Sequence, residues 1–289
     1  MRLSNQELSF FGKAIIGNQM KQIAQNRCGA TPLDPDKIRT NLKTRRIGRK
    51  IVVYSSTAST NDIAAQFAKN KANDGLIVLA EQQTSGRGRG GNKWVAGKGD
   101  SVLCSILLTD CSLGAELLSL TIAVAVAEAI GKCVKAEAKI KWPNDIILSG
   151  KKVAGILVES KKLGRHRACI VGIGINCHQR KDDFLPDLQK TATSVDIETG
   201  SKIDRISLIR RLLTSIEHWL VIAEKNEQRV IEQWQKLSTQ LNRRVALVYN
   251  RNRFVGNCIG LDPQQGLILQ LDTGAIRMFH AAHTTIVKE

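Results

Sequence analysis

Aromatic side chains are scarce in this sequence: four Trp, two Tyr and six Phe make up 4% of the chain. The core therefore has to be built from Ile, Leu, Val and Ala rather than from stacked rings. Acid is short too, with 26 Asp and Glu against 43 Lys and Arg and a formal charge of +17. That balance predicts attraction to anions, whether nucleotides, acidic proteins or nucleic acid, without choosing among them. The seven cysteines include no CxxC pair and no Cys/His ligand spacing, which argues against a zinc site, any other structural metal and a disulfide framework. Free cysteine in apolar stretches behaves as a small hydrophobe of a reducing compartment, so the expected location is the cytoplasm. The most apolar stretch, Leu117 to Ala127, lies between Glu116 and Glu128 and reads as a buried core helix too short to cross a bilayer. No export signal is evident at the N-terminus, and no membrane partner is expected.

What is present falls into three stretches. Residues 1–48 read as a basic N-terminal extension, broken at Thr31-Pro32-Leu33-Asp34-Pro35. A run without acid follows the break: Lys37, Arg39, Lys43, Arg45, Arg46, Arg49 and Lys50. Over residues 49–238 short β-rich runs mix with helical ones. Strands are predicted at Ile51 to Tyr54, Leu76 to Ala80, Ser101 to Leu108, Ile146 to Leu148, Val153 to Ser160 and Arg167 to Ile173. Helices are predicted at Asn61 to Lys69 with Thr60 as its cap, Ala115 to Lys132, Ser207 to Glu224 and Val230 to Leu237. The turns Ser149-Gly150 and Leu163-Gly164 imply antiparallel hairpins, and the lack of regular βαβ alternation favours an α+β fold. Residues 239–289 carry only short strands and turn residues, the texture of a small β-barrel.

The strongest chemical signal is Gln83-Thr84-Ser85-Gly86-Arg87-Gly88-Arg89-Gly90-Gly91-Asn92-Lys93-Trp94. Its glycines let backbone N–H groups approach an anion, and Arg87 and Arg89 bring two guanidinium forks to carboxylate or phosphate oxygens. It matches neither a P-loop nor a dinucleotide-binding turn, and taken alone it also suits a disordered RNA-binding segment. In Lys141-Trp142-Pro143-Asn144-Asp145, Asn144 and Asp145 suit magnesium or a ribose hydroxyl, or form only a polar turn. Lys152 opens the apolar run ending at Glu159, where a fixed backbone could hold its ammonium near developing negative charge; Gly155 within that run suggests a close approach. Val171 to Asn176 places the Asn176 amide at a strand end, and Ser59-Thr60-Asn61 offers three small polar side chains at a helix start.

In this order and at these distances the stretches resemble the biotin protein ligases, also called biotin-[acetyl-CoA-carboxylase] ligases, in a form without an N-terminal DNA-binding domain. The resemblance covers roughly residues 49–289. It implies a mixed, mostly antiparallel sheet with helices of the class II synthetase-like kind, followed by an SH3-like barrel. The implied activity is the ATP- and Mg2+-dependent conversion of biotin to biotinoyl-5'-AMP and transfer of biotin to a lysine of a biotin carboxyl carrier protein, as in acetyl-CoA carboxylase. By resemblance Ser59, Thr60, Asn61 and Gln83 hold the biotin ring, and Arg87, Gly88 and Arg89 close over its carboxylate and the adenylate phosphate. Lys152 stabilises charge at the reacting phosphate with Arg89, Gly155 lets the pocket wall come close, and Asn144, Asp145 and Asn176 lie on the nucleotide and magnesium side. Asn92 stands where the family usually has a basic residue, which puts one phosphate contact in doubt. Too little chain precedes residue 49 for a winged helix-turn-helix, so no specific DNA binding is expected, and a homodimer is left open. The rivals are a lipoate or octanoyl ligase and a nucleic-acid-binding module.

Overall fold

The computed structural model describes residues 31–134, 136–163 and 166–287. The first 30 residues of the expected extension, and the Gly164 of the second hairpin turn, lie outside them. The chain forms helix α1 (Pro35–Arg39), β1 (Ile51–Tyr54), α2 (Thr60–Phe67), β2 (Ile77–Ala80), β3 (Ser101–Leu108), α3 (Ala115–Val134), β4 (Lys139–Lys141), β5 (Asp145–Leu148), β6 (Lys151–Leu163) and β7 (His166–Asn176). Helices α4 (Val195–Thr199), α5 (Arg205–Lys225) and α6 (Glu227–Leu237) follow. The seven strands make one sheet in the order β1-β2-β3-β7-β6-β5-β4. Only β1 and β2 run parallel; the other neighbouring pairs are antiparallel, with tight hairpins joining β5 to β6 and β6 to β7.

Alternation along the strands divides the core in two. Val78 and Leu107 point to the face covered by α2, where they meet Ala64 and Ala68. Their neighbours Ile77, Leu79, Ile106 and Leu108 point to the opposite face and join the cluster that includes α3, α5 and α6. With both faces covered, all eight residues of β3 are buried, apolar except for Ser101 and Ser105. Helix α3 is longer than the apolar stretch expected from sequence, at 20 residues with a mean hydropathy of 1.9, and is long and apolar enough to cross a membrane. Its apolarity is accounted for by packing, because residues from Leu117 to Ile130 on all its sides are buried within the protein.

The basic run packs on the core rather than standing free. Ile38 and Ile47 are fully buried. The Glu217 carboxylate on α5 accepts the backbone N–H groups of Arg45, Arg46 and Ile47 at 2.5, 2.8 and 2.8 Å. Deeper in, Arg205 donates to Glu81 at 2.8 Å and to the Thr31 carbonyl at 2.8 Å, while Glu81 also accepts the Leu33 N–H at 2.6 Å.

A second sheet, β11-β10-β9-β8-β12, is antiparallel throughout: β8 (Arg244–Tyr249), β9 (Asn252–Asp262), β10 (Gly266–Leu271), β11 (Ile276–Phe279) and β12 (Thr284–Val287). Leu247, Cys258, Leu267, Leu269 and Phe279 fill its interior. Gln240 joins it to the larger sheet, its side-chain carbonyl accepting the Trp142 N–H at 2.6 Å. The fold is therefore α+β with a small C-terminal β-unit. Two details differ from expectation. Helix α2 begins at Thr60 with Ser59 in the cap position, because the Thr60 hydroxyl is drawn to Gln83 instead of capping. Strand β4 and helices α1 and α4 went unpredicted, being too short to show a period.

Candidate active site

The glycine-rich segment after β2 is an ordered hairpin, which removes the reading as a disordered arginine-glycine tail. Trp94 N–H donates to the Gly86 carbonyl at 3.0 Å and Gly88 N–H to the Asn92 carbonyl at 2.7 Å, with Arg87 bridged to Lys93. At the tip, Gly90 and Gly91 have φ of 62° and 81°, a left-handed conformation that side chains disfavour. Asn92 closes the turn, its side-chain amide donating to the Arg89 carbonyl at 2.9 Å. Where a basic residue was expected, this chain has a residue that caps its own loop.

The hairpin ends on Trp94, whose ring lies on two glycines paired across β6 and β7, Gly155 and Gly174. A Cβ at Gly174 would stand 2.5 Å from the ring and one at Gly155 would stand 3.0 Å from it. The indole N–H is buried without a hydrogen-bonding partner among the described residues. Lys152 reaches over the same ring, Nζ lying 5.9 Å from its centroid, from a strand start displaced by a bulge in the β5–β6 pairing. Its ammonium is 2.6 Å from Asp145 Oδ1. The angles there do not make a hydrogen bond, so that buried oxygen is matched in charge but not in direction. Asn144 donates to the Ile156 carbonyl at 3.0 Å and accepts from Arg89 at 3.4 Å. Arg89 also donates to the Ala281 carbonyl, which ties the hairpin to the C-terminal unit. Burial works against the Arg89 charge and lowers its pKa, opposed by the carboxylates of Glu116 and Asp145.

A second polar group lies at the other end of the hairpin. Gln83 Oε1 accepts from the Thr60 N–H at 2.7 Å and from the Thr60 hydroxyl at 3.0 Å. Ser105 on β3 stands 2.7 Å from the Thr60 hydroxyl and 2.5 Å from Asn61 Oδ1, with one proton to share between them. Asn61 donates to Glu159 at 2.6 Å. Asn61 fits only because position 172 is glycine: a Cβ there would be 2.5 Å from its amide oxygen. Ser59, Thr60 and Asn61 are each 4% exposed, which is uncommon for three consecutive polar residues, and the Thr60 and Asn61 side chains are buried with the partners just named. Arg87 makes a bidentate pair with Asp62 at 2.8 and 2.7 Å and reaches Glu159 at 3.4 Å. The Asp62 hydrogen bonds hold the Arg87 guanidinium charged and push the Asp62 carboxyl below its usual range.

Asn176 sits apart from both groups in what it bonds. It is buried, donates to the Thr193 carbonyl at 3.0 Å and accepts from Gln179 at 3.2 Å. Its link to Lys152 is through the backbone of residues 191–193, which pairs with Lys152 on both sides, at 2.8 and 2.9 Å. The structure thus brings Lys152 and Gly155 to Trp94, joins Asp145 to Lys152 and Arg89 to Asn144, and gathers Ser59, Thr60, Asn61, Gln83 and Arg87 at the hairpin stem. Sequence reasoning missed Ser105, Asp62, Glu159 and Gly174 as members. A polar residue within the wholly buried β3 was the signal for Ser105; the others show none without the pairing.

Residues 53–176 match the biotin/lipoate A/B protein ligase family. The chain is 32% identical over 253 residues to the bifunctional ligase/repressor BirA of Bacillus subtilis, covering 86% of this chain and 78% of the relative. It is 32% identical over 219 residues to the biotin--[acetyl-CoA-carboxylase] ligase of Mycobacterium tuberculosis, covering 73% and 75%. The biotin protein ligase from Aquifex aeolicus, solved in complex with biotin and ATP, superposes with a TM-score of 0.72 at 25% identity, covering 83% of this chain and 100% of that one. The chain belongs to the biotin/lipoate A/B protein ligase family, among its biotin protein ligases.

Proposed function

We propose that this protein condenses biotin with ATP to biotinoyl-5'-AMP and passes the biotinoyl group to a lysine of a carboxyl carrier domain, as in acetyl-CoA carboxylase. The observation that carries the reading is that Lys152 lies over the Trp94 ring above the Gly155–Gly174 pair and against Asp145, while the adjacent Asn144 holds Arg89. A carboxylate is a poor acyl donor until its oxygen attacks the α-phosphorus of ATP, forming the acyl phosphate bond and expelling pyrophosphate. That step needs charge neutralisation more than proton transfer, and two fixed cations supply it. The carrier amine then attacks the mixed anhydride, AMP leaves, and the amine proton passes to solvent.

In this reading Ser59, Thr60, Asn61 and Gln83 hold the ureido ring, the backbone of Arg87, Gly88 and Arg89 covers the acyl phosphate, and Asn176 braces the nucleotide side. Among the described residues no three His, Cys, Asp or Glu cluster to hold a metal by themselves. Asp145 and Asn144 fit a magnesium ion carried mainly by the nucleotide's phosphates, which asks for one or two carboxylates from the protein. When bound, that ion would neutralise charge on the polyphosphate. The reading takes 49–238 as the catalytic unit and 239–289 as the barrel, places the protein in the cytoplasm, and expects no sequence-specific DNA binding.

The decisive experiment incubates the protein with ATP, magnesium and labelled biotin, then adds an acidic carrier domain. Bound biotinoyl-AMP followed by a labelled carrier is the expected result. Pyrophosphate exchange supported by lipoate but not by biotin would move the chain to the lipoate side of its family. Tight, salt-sensitive nucleic-acid binding without adenylation would favour the binding-module reading instead.

A further inference from the structure

The side chain of Arg87 is already spent. Two of its nitrogens meet both oxygens of Asp62 at 2.8 and 2.7 Å, and one of these also faces Glu159 at 3.4 Å. With two carboxylates around one guanidinium, the local charge is negative, so this side chain is a poor source of neutralisation for a phosphate. Arg89 differs in its direct partners, which among the described residues are the Asn144 amide and the Ala281 carbonyl, with the Glu116 and Asp145 carboxylates acting on it from further off and burial disfavouring its charge. The two arginines, with one glycine between them, therefore differ in whether a carboxylate takes up the guanidinium directly.

We propose that Asp62, on the first turn of α2, is a positioning residue that fastens the stem of the glycine hairpin through Arg87, while Arg89 and Lys152 carry the charge of the reaction. Glu159 joins this fastening to the ring-binding end of the site, because its other oxygen holds Asn61 at 2.6 Å. The latch ties the hairpin to a helix anchored on the sheet, so its strength sets how often the stem lifts. Both partners are about half exposed, which limits that strength. The effect to expect is a modest change in opening rate rather than loss of the fold.

The latch is tested on the full chain without added substrate by limited trypsin cleavage within 87–93. Asp62→Asn should be nicked about threefold to fivefold faster than the wild type at low salt, and Asp62→Glu, which keeps the carboxylate, within about twofold of it. At about 1 M salt the wild type should approach the Asp62→Asn rate, since screening weakens the pair. The second readout rests on the proposed function: Asp62→Asn should release labelled biotinoyl-AMP faster by a similar factor, and Asp62→Glu at a rate within about twofold of the wild type. Equal nicking of wild type and Asp62→Asn at low salt overturns the proposal, as does a release rate that Asp62→Asn leaves unchanged or that Asp62→Glu fails to restore. A wild type that makes no biotinoyl-AMP would sink the functional reading, yet the cleavage comparison would still decide the latch.

Discussion

A single methyl group added at either of two glycines should separate mild from severe damage at the Trp94 floor. At Gly174 the new carbon would lie 2.5 Å from Cε2 and 2.6 Å from Cζ2 of the ring; at Gly155 it would lie 3.0 Å from Cζ3. Comfortable carbon contacts begin near 3.5 Å, so the ring must move by about 1 Å for Gly174→Ala and about 0.5 Å for Gly155→Ala. The ring cannot move alone, because Trp94 N–H is bonded to Gly86 and the hairpin follows it. A displacement of about 1 Å in a positioned group can cost about 100-fold in rate. Gly174→Ala should therefore lose about two orders of magnitude in kcat/KM for biotin in ATP–pyrophosphate exchange, and Gly155→Ala less than one. Overpacking of this kind costs about 1–3 kcal/mol, so urea titration should show Gly174→Ala still folded. A folded Gly174→Ala with wild-type exchange, or a Gly155→Ala more damaged than it, would refute the placement of the ring.

Arg89→Ala and Lys152→Ala should each slow adenylate formation by about 10²–10³-fold, the worth of one preorganised donor, and unchanged exchange in both would remove them from the chemistry. Arg205→Ala leaves Glu81 buried and unpaired beneath the Leu33 N–H and should cost about 3–5 kcal/mol in urea unfolding; a loss below 1 kcal/mol, roughly that of a surface pair, would show the pair is not buried in solution. Burial alone would raise the Asp74 pKa, but hydrogen bonds from Arg46 and the Thr109 N–H together bring it below its ordinary 3.8. A depressed carboxyl contributes stability that is complete above 3.8 and fades as pH falls through the lower folded-state value. The stability gap between wild type and Asp74→Asn should accordingly be full at neutral pH and close on acidification below 3.8; a gap that widened in acid would contradict the sign.

Local order was legible in the sequence wherever one physical rule governs a short window. The β1 and β3 boundaries followed from runs of β-branched and aliphatic residues, α5 from its apolar spacing and α3 from its long apolar stretch. The glycine hairpin, which alone also suits an RNA-binding segment, and Lys152 were legible as chemistry through their order and distance along the chain from the other motifs. What only the tertiary structure decided is which groups meet across the chain. The sequence distance from Gly174 to Trp94, or from Glu217 to the backbone of Arg45, carries no periodic signal: the pairing of β6 with β7 presents the first contact, and the packing of α5 against the segment before β1 makes the second. The same holds for the two arginines: alike in the sequence, they differ because one is bonded directly to a helix carboxylate and the other to an amide and a carbonyl, with carboxylates only nearby, and what a guanidinium is free to neutralise is set by its neighbours.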